Sequence, residues 1–86
     1  MPEPTRSEVL NEISASIARL SNLPESEITE GQLLVVDLKL DSLAIYELVV
    51  DLEERFGMQI SNEDAEGLET VGEAVDYVLM RLSAAQ

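Results

Sequence analysis

The one side chain placed to do unusual chemistry is Ser42, which follows Asp41 and precedes Leu43 at the junction of an irregular segment and a long helical pattern. A catalytic serine needs a general base and an oxyanion site. This chain has no histidine, no Gly-x-Ser-x-Gly elbow, and a single lysine, Lys39, in a loop without a second supporting motif. Hydrolytic catalysis is therefore not expected, and no catalytic residue is assigned. The carboxylates do not follow the Asp-x-Asp/Asn-x-Asp/Asn-Gly spacing of a calcium loop, so no metal site is assigned either. Two readings of Ser42 remain open on the residues alone. Asp41-Ser42 could be only a good helix start, or Ser42 could carry a phosphate ester, which would sit at the positive end of the helix dipole.

The composition narrows the setting. Eighty-six residues make one domain, 1–86, with a modest core and with residues 1–5 and 83–86 expected to fray. Eighteen acidic against five basic residues give a net charge of −13, which repels nucleic acid and anionic membranes and favours basic protein surfaces. Without cysteine the chain has no disulfide and no thiolate of its own. No apolar run approaches the ~20 residues of a membrane span, and Met1-Pro2-Glu3-Pro4 does not open a signal peptide. The expectation is a monomeric, cytoplasmic, helical protein with no membrane insertion.

The elements that must position Ser42 are legible in the hydrophobic spacing. Val9, Leu10, Ile13, Ile17 and Leu20 form the apolar face of a first helix capped by Thr5 or Ser7, with Asn11, Glu12, Ser16 and Arg19 on the opposite side. It should end near Ser21-Asn22, before Pro24. Residues 22–41 read as a long loop whose Ile28, Leu33, Leu34, Val35 and Leu38 pack over the helix ends, with a short turn near 31–36. A strand at Leu33–Val36 is set aside for want of a partner segment. A second helix runs from about Ser42 to Phe56, inward on Ile45, Leu48, Val49, Leu52 and Phe56, and stops at Gly57. Its Glu47, Asp51 and Glu54 form an acidic stripe with Tyr46 and Val50 beside it. A brief third helix spans Glu63 to about Gly67. A last helix opens with the capping box Thr70-Val71-Gly72-Glu73 and runs to about Leu82 on Val71, Ala74, Val75, Val78 and Leu82.

Over residues 7–82 the chain resembles the acyl carrier proteins of fatty-acid and polyketide synthesis. The resemblance rests on Asp37-Leu38-x-x-Asp41-Ser42-Leu43, on Glu47-Leu48-Val49-x-x-Leu52-Glu53-Glu54-x-Phe56-Gly57, and on Ile60, Glu63-Asp64-Ala65 and Thr70-Val71-Gly72 in that order. It implies an all-α four-helix bundle of three main helices and one short one, with a long ordered loop between the first two. It implies that Ser42, beside Asp41, is esterified with 4′-phosphopantetheine by a phosphopantetheinyl transferase, and that the thiol of that arm carries an acyl chain as a thioester.

The same resemblance makes the second helix the face read by acyl-activating or synthase enzymes with basic docking patches. Glu47, Asp51 and Glu54 would supply its charge, and Leu43, Tyr46 and Val50 its apolar contact. For Ile45, Leu48, Ile60, Ala65, Leu68 and Val75 two readings stand, the lining of an acyl-chain cleft and ordinary core. The chain departs from the family pattern at Lys39, where glycine is common, and at Leu40, Ala44, Leu33-Leu34 and Val36. These changes make the surroundings of Ser42 less acidic and suggest a carrier for a specialised lipid, lipopeptide or polyketide pathway. The alternatives are an aminoacyl or peptidyl carrier, or an unmodified adaptor with the same fold.

Overall fold

The computed structural model describes residues 4–84, and the fraying expected at 1–3 and 85–86 falls outside that range. Four helices follow in order: α1 Arg6–Ser21, α2 Ser42–Phe56, α3 Asn62–Glu66 and α4 Val71–Ala84. A 3-10 turn at Glu25–Glu27 interrupts the long loop. No strand is present among the described residues; the extended backbone at Leu33 makes one antiparallel bridge to Thr70.

The helix ends follow their sequence signals. Thr5 caps α1 in a full capping box, accepting the Glu8 N–H at 3.2 Å while the Glu8 carboxylate accepts the Thr5 N–H at 2.8 Å. Thr5 is thus an ordered cap, and α4 continues through 83–84. Asn22 closes α1 in a left-handed conformation, and Gly57 does the same for α2 at φ 62°. At the start of α4, Thr70 and Glu73 exchange side-chain to backbone bonds of 3.1 and 3.0 Å, and Glu73 also accepts the Glu69 N–H at 2.8 Å.

α1 packs against both α4 and α2. The core is the meeting of Val9, Ile13 and Ile17 with Leu48, Val49 and Leu52 of α2 and Val71, Ala74, Val75 and Val78 of α4. Ser16 departs from the expected polar face. It is fully buried, and its hydroxyl donates to Asp51 across the α1–α2 contact.

The long loop contributes Ile28, Leu34, Leu38 and Leu40 to the core, whereas Leu33, Val35 and Val36, two of which were expected to pack inward, are exposed. The loop is stitched to the start of α4 by backbone bonds Leu34 N–H to Glu69 O (2.9 Å), Val71 N–H to Gln32 O (3.1 Å) and Gly72 N–H to Glu30 O (2.9 Å). This explains Gly72 in the first turn of α4: a Cβ there would lie 3.1 Å from Glu30 O and 3.3 Å from Glu30 Cβ. Arg6 reinforces the same junction through Glu30 and Asp76.

Candidate functional site

The loop before Ser42 is closed on itself. The Asp37 carboxylate accepts the Leu33 N–H at 2.8 Å, and the N–H groups of Asp37 and Leu38 both return to Leu33 O at 3.0 Å. Leu40 donates to Leu34 O at 3.0 Å. Leu38 and Leu40 are buried on either side of Lys39, which is exposed and takes a left-handed backbone at φ 59°. Glycine is the residue that adopts this conformation without cost, so the departure at Lys39 falls at a position with a conformational demand.

Asp41 is the N-cap of α2. Its side chain accepts the Ala44 N–H at 2.8 Å, and its carbonyl accepts the Ile45 N–H at 2.9 Å. The first helical residue is Ser42, which is exposed. At this place in the helix the N–H groups of Ser42 and Leu43 have no intrahelical acceptor. An ester oxygen on Ser42 would meet these N–H groups and the positive end of the helix dipole.

Directly beside Ser42 opens a cavity of about 460 Å³. Asp41, Ser42 and Tyr46 stand at it with Ile45 and Val49 of α2; Val35 and Leu40 come from the loop; Asn62, Ala65 and Glu66 of α3 and Leu68 complete it. Of the six residues assigned from sequence to a cleft, Ile45, Ala65 and Leu68 line this cavity. Leu48, Ile60 and Val75 do not line it and are buried core. A larger hollow of about 640 Å³, at the C-terminal end of α2, is edged by Glu53, Glu54, Ser61, Asp64 and Arg81 and does not reach Ser42.

On the outer side of α2, Leu43 and Tyr46 are 64% and 62% exposed, Glu47 and Glu54 are exposed, and Val50 is half-buried. Asp51 does not share this free face. Its side chain is only 20% exposed, turned toward α1 to accept Ser16 Oγ at 2.7 Å and Arg19 at 2.5 Å, with Arg55 Nε at 3.6 Å. The Ser16 hydrogen bond holds the Asp51 carboxyl below the usual carboxylate range, aided by the charges of Arg19 and Arg55 and opposed by partial burial. Arg55 also pairs with Glu12. Glu53, the neighbour of Glu54, turns inward and accepts the Ile60 N–H at 2.7 Å.

Residues that sequence reasoning does not assign to the site also shape it. Val49 lines the cavity, and Val35 and Val36 form an exposed apolar edge, each 64% exposed. Tyr77 donates to Asp64 at 2.6 Å and accepts from Arg81 at 2.6 Å, pinning α3 to α4. Lys39, Leu40 and Val36 carry a readable signal as departures from the family pattern, Lys39 as a lysine where the family usually has glycine.

The family model for the phosphopantetheine attachment site matches residues 11–78, spanning Ser42 and the cavity. An acyl carrier protein of Rubrobacter xylanophilus is 44% identical over 79 residues, covering 92% of this chain and 98% of the relative. The chain belongs to the acyl carrier protein family. Its prosthetic group is 4′-phosphopantetheine, and it is a carrier that works with synthase and transferase enzymes, not an enzyme. The solved acyl carrier protein from Enterococcus faecalis overlays this carrier with a TM-score of 0.76 at 40% identity, covering 90% of this chain and 98% of that one. The meromycolate extension acyl carrier protein of Mycobacterium leprae is 38% identical over 74 residues, covering 86% of this carrier and 64% of that protein. Among the described residues no helix is long and apolar enough to cross a membrane, and no group of three or more potential metal ligands occurs.

Proposed function

We propose that Ser42 is the attachment residue and that the chain presents acyl thioesters to a dedicated set of biosynthetic enzymes. The observation that carries this reading is the exposed Ser42 hydroxyl on the first residue of α2, at the mouth of the 460 Å³ cavity. The chain's residues fit the prosthetic group. Asp41 fixes the start of the helix, the N–H groups of Ser42 and Leu43 have no intrahelical acceptor and would be free to hold the ester, and Ile45, Val49, Ala65 and Leu68 offer an apolar recess. Bound there, the group supplies the thiol that the chain lacks. We assign the base that activates Ser42 to the transferase, because the chain has no histidine and the adjacent Asp41 carboxylate is engaged with the Ala44 N–H.

The docking face we propose is Leu43, Tyr46 and Val50 with Glu47 and Glu54, while Asp51 acts mainly by joining α1 to α2. Acidic groups around an apolar centre steer fast and salt-sensitive association with basic patches, which suits a carrier that must leave each enzyme. The exposed Val35 and Val36 and the cation at Lys39 extend that face on the loop side. They support a partner set for a specialised lipid, lipopeptide or polyketide pathway, and the similarity to a meromycolate extension carrier leans toward lipid.

The test is replacement of Ser42 by Ala in the native host. The carrier reading expects normal folding, unaltered thermal unfolding and complete loss of the pathway product. An unmodified adaptor would keep producing it.

A further inference from the structure

Five side chains of this carrier are cationic, and four of them are engaged. Arg6 joins Glu30 and Asp76, Arg19 joins Asp51, and Arg55 joins Glu12 and Asp51. Arg81 donates to the Tyr77 hydroxyl and lies 5.6 Å from the centre of its ring. Lys39 makes no ion pair or side-chain hydrogen bond among the described residues. The two carboxylates next to it in sequence are already committed to backbone, Asp37 to the Leu33 N–H and Asp41 to the Ala44 N–H. Its ammonium therefore has no anion of its own among the described residues of a chain that carries 18 acidic side chains.

The backbone at Lys39 is also unfavourable for lysine. A left-handed residue with a Cβ costs roughly 1–2 kcal/mol, and glycine would avoid that cost. The turn places Lys39 outward between buried Leu38 and Leu40, so nothing in the packing calls for its side chain. A strained residue whose side chain does no structural work points to a role outside the bare fold.

Lys39 is three residues before Ser42, which bounds their Cα separation at about 11 Å. That is near one Debye length at 0.1 M salt. A flexible lysine stem can shorten the gap further, and its compact charge is suited to phosphate. Resting on the assignment of Ser42 as the attachment residue, we propose that Lys39 pairs with the phosphodiester there and is a positioning residue for the root of the prosthetic arm. The pairing offsets the repulsion between that anion and a chain of charge −13.

Lys39 is the single lysine, so ¹³C-lysine labelling reports one side chain. The full-length protein is converted from apo to holo with coenzyme A and a promiscuous transferase, with conversion followed by intact mass. The expected result is a shift of the Lys39 Cε–Hε signal on conversion. The ³¹P signal of the holo protein should move in Lys39→Gln, return in Lys39→Arg, and in wild type approach the Lys39→Gln position as salt is raised. Lys39→Gly, which removes the charge while relieving the backbone, should match Lys39→Gln. Full conversion with ³¹P signals that coincide in wild type and Lys39→Gln would overturn the pairing and leave the Ser42 assignment intact. A Lys39 signal that stays fixed on conversion but moves when a partner enzyme binds would likewise overturn it, in favour of a carboxylate on the partner. Absence of any mass gain, with a control carrier converted, would remove the Ser42 assignment and the pairing with it.

Discussion

Ser16 Oγ donates to Asp51 Oδ2 at 2.7 Å, joining the middle of α1 to the middle of α2 through a buried hydroxyl and a carboxylate that spacing alone assigns to the docking stripe. Arg19 and Arg55 complete the contact. Hydrogen bonds to charged groups contribute about 1.5–3 kcal/mol. Asp51→Ala should therefore lower stability by about that amount at pH 7, a fall in Tm of the order of 10 °C for a domain this size. Because the folded-state carboxyl is held below its ordinary range, its contribution is complete above the unfolded value of about 3.9 and is lost as pH falls through the folded value. Thermal unfolding between pH 7 and pH 3 should show wild type and Asp51→Ala converging only on the acid side.

Lys39→Gly should stabilise the fold. Relief of left-handed strain by roughly 1–2 kcal/mol exceeds the extra unfolded-state freedom of glycine, roughly 0.5–1 kcal/mol. A net gain of about 0.5–1 kcal/mol should appear as a rise in Tm of roughly 2–8 °C in the apo protein. A fall in Tm would mean that the lysine side chain contributes to the bare fold.

Glu47 and Glu54 are exposed on α2, in contrast to Asp51. Glu47→Gln and Glu54→Gln should leave Tm within about 0.5 kcal/mol equivalent of wild type. Each should slow association with a basic partner by roughly 1.5- to 5-fold at low salt and flatten its salt dependence. Stopped-flow association with the transferase at several salt concentrations separates this from the stability effect of Asp51.

The cavity predicts different outcomes for residues assigned together from sequence. Ala65→Leu fills space beside Ser42 and should speed cleavage of a long-chain thioester by hydroxylamine, because the chain loses its recess. Leu48→Ala opens a hole in the core and should cost about 2–5 kcal/mol. Comparing thioester half-lives of medium- and long-chain acyl forms with Tm in both variants distinguishes a lining residue from a core residue.

These contrasts trace what was legible in the chain. Caps and stops are local, so Asp41, Gly57, Asn22 and the Thr70–Glu73 box could be placed from neighbouring residues alone. The helical period puts Ser16 on the solvent side because it sees polarity but not a carboxylate 35 residues away. Asp51 shares its spacing with Glu47 and Glu54, but it lies round the helix toward α1, and only the crossing of the two helices separates them. The same holds for the cleft. Ile45, Ala65 and Leu68 surround the start of α2, while Leu48 and Val75 are equally apolar in sequence but lie in the closed interior, and Ile60 edges the separate hollow at the far end of α2. The left-handed turn at Lys39 is legible only through the family's usual glycine there, because lysine itself carries no local signal for it.

The central claim is that Ser42 is the point of attachment, and intact mass measures it most directly. Purified apo protein incubated with coenzyme A and a promiscuous phosphopantetheinyl transferase should gain the mass of one phosphopantetheine. Fragmentation should place that mass on Ser42, and Ser42→Ala should gain none. A gain of equal size in Ser42→Ala, or no gain in wild type alongside a converted control carrier, would contradict the account.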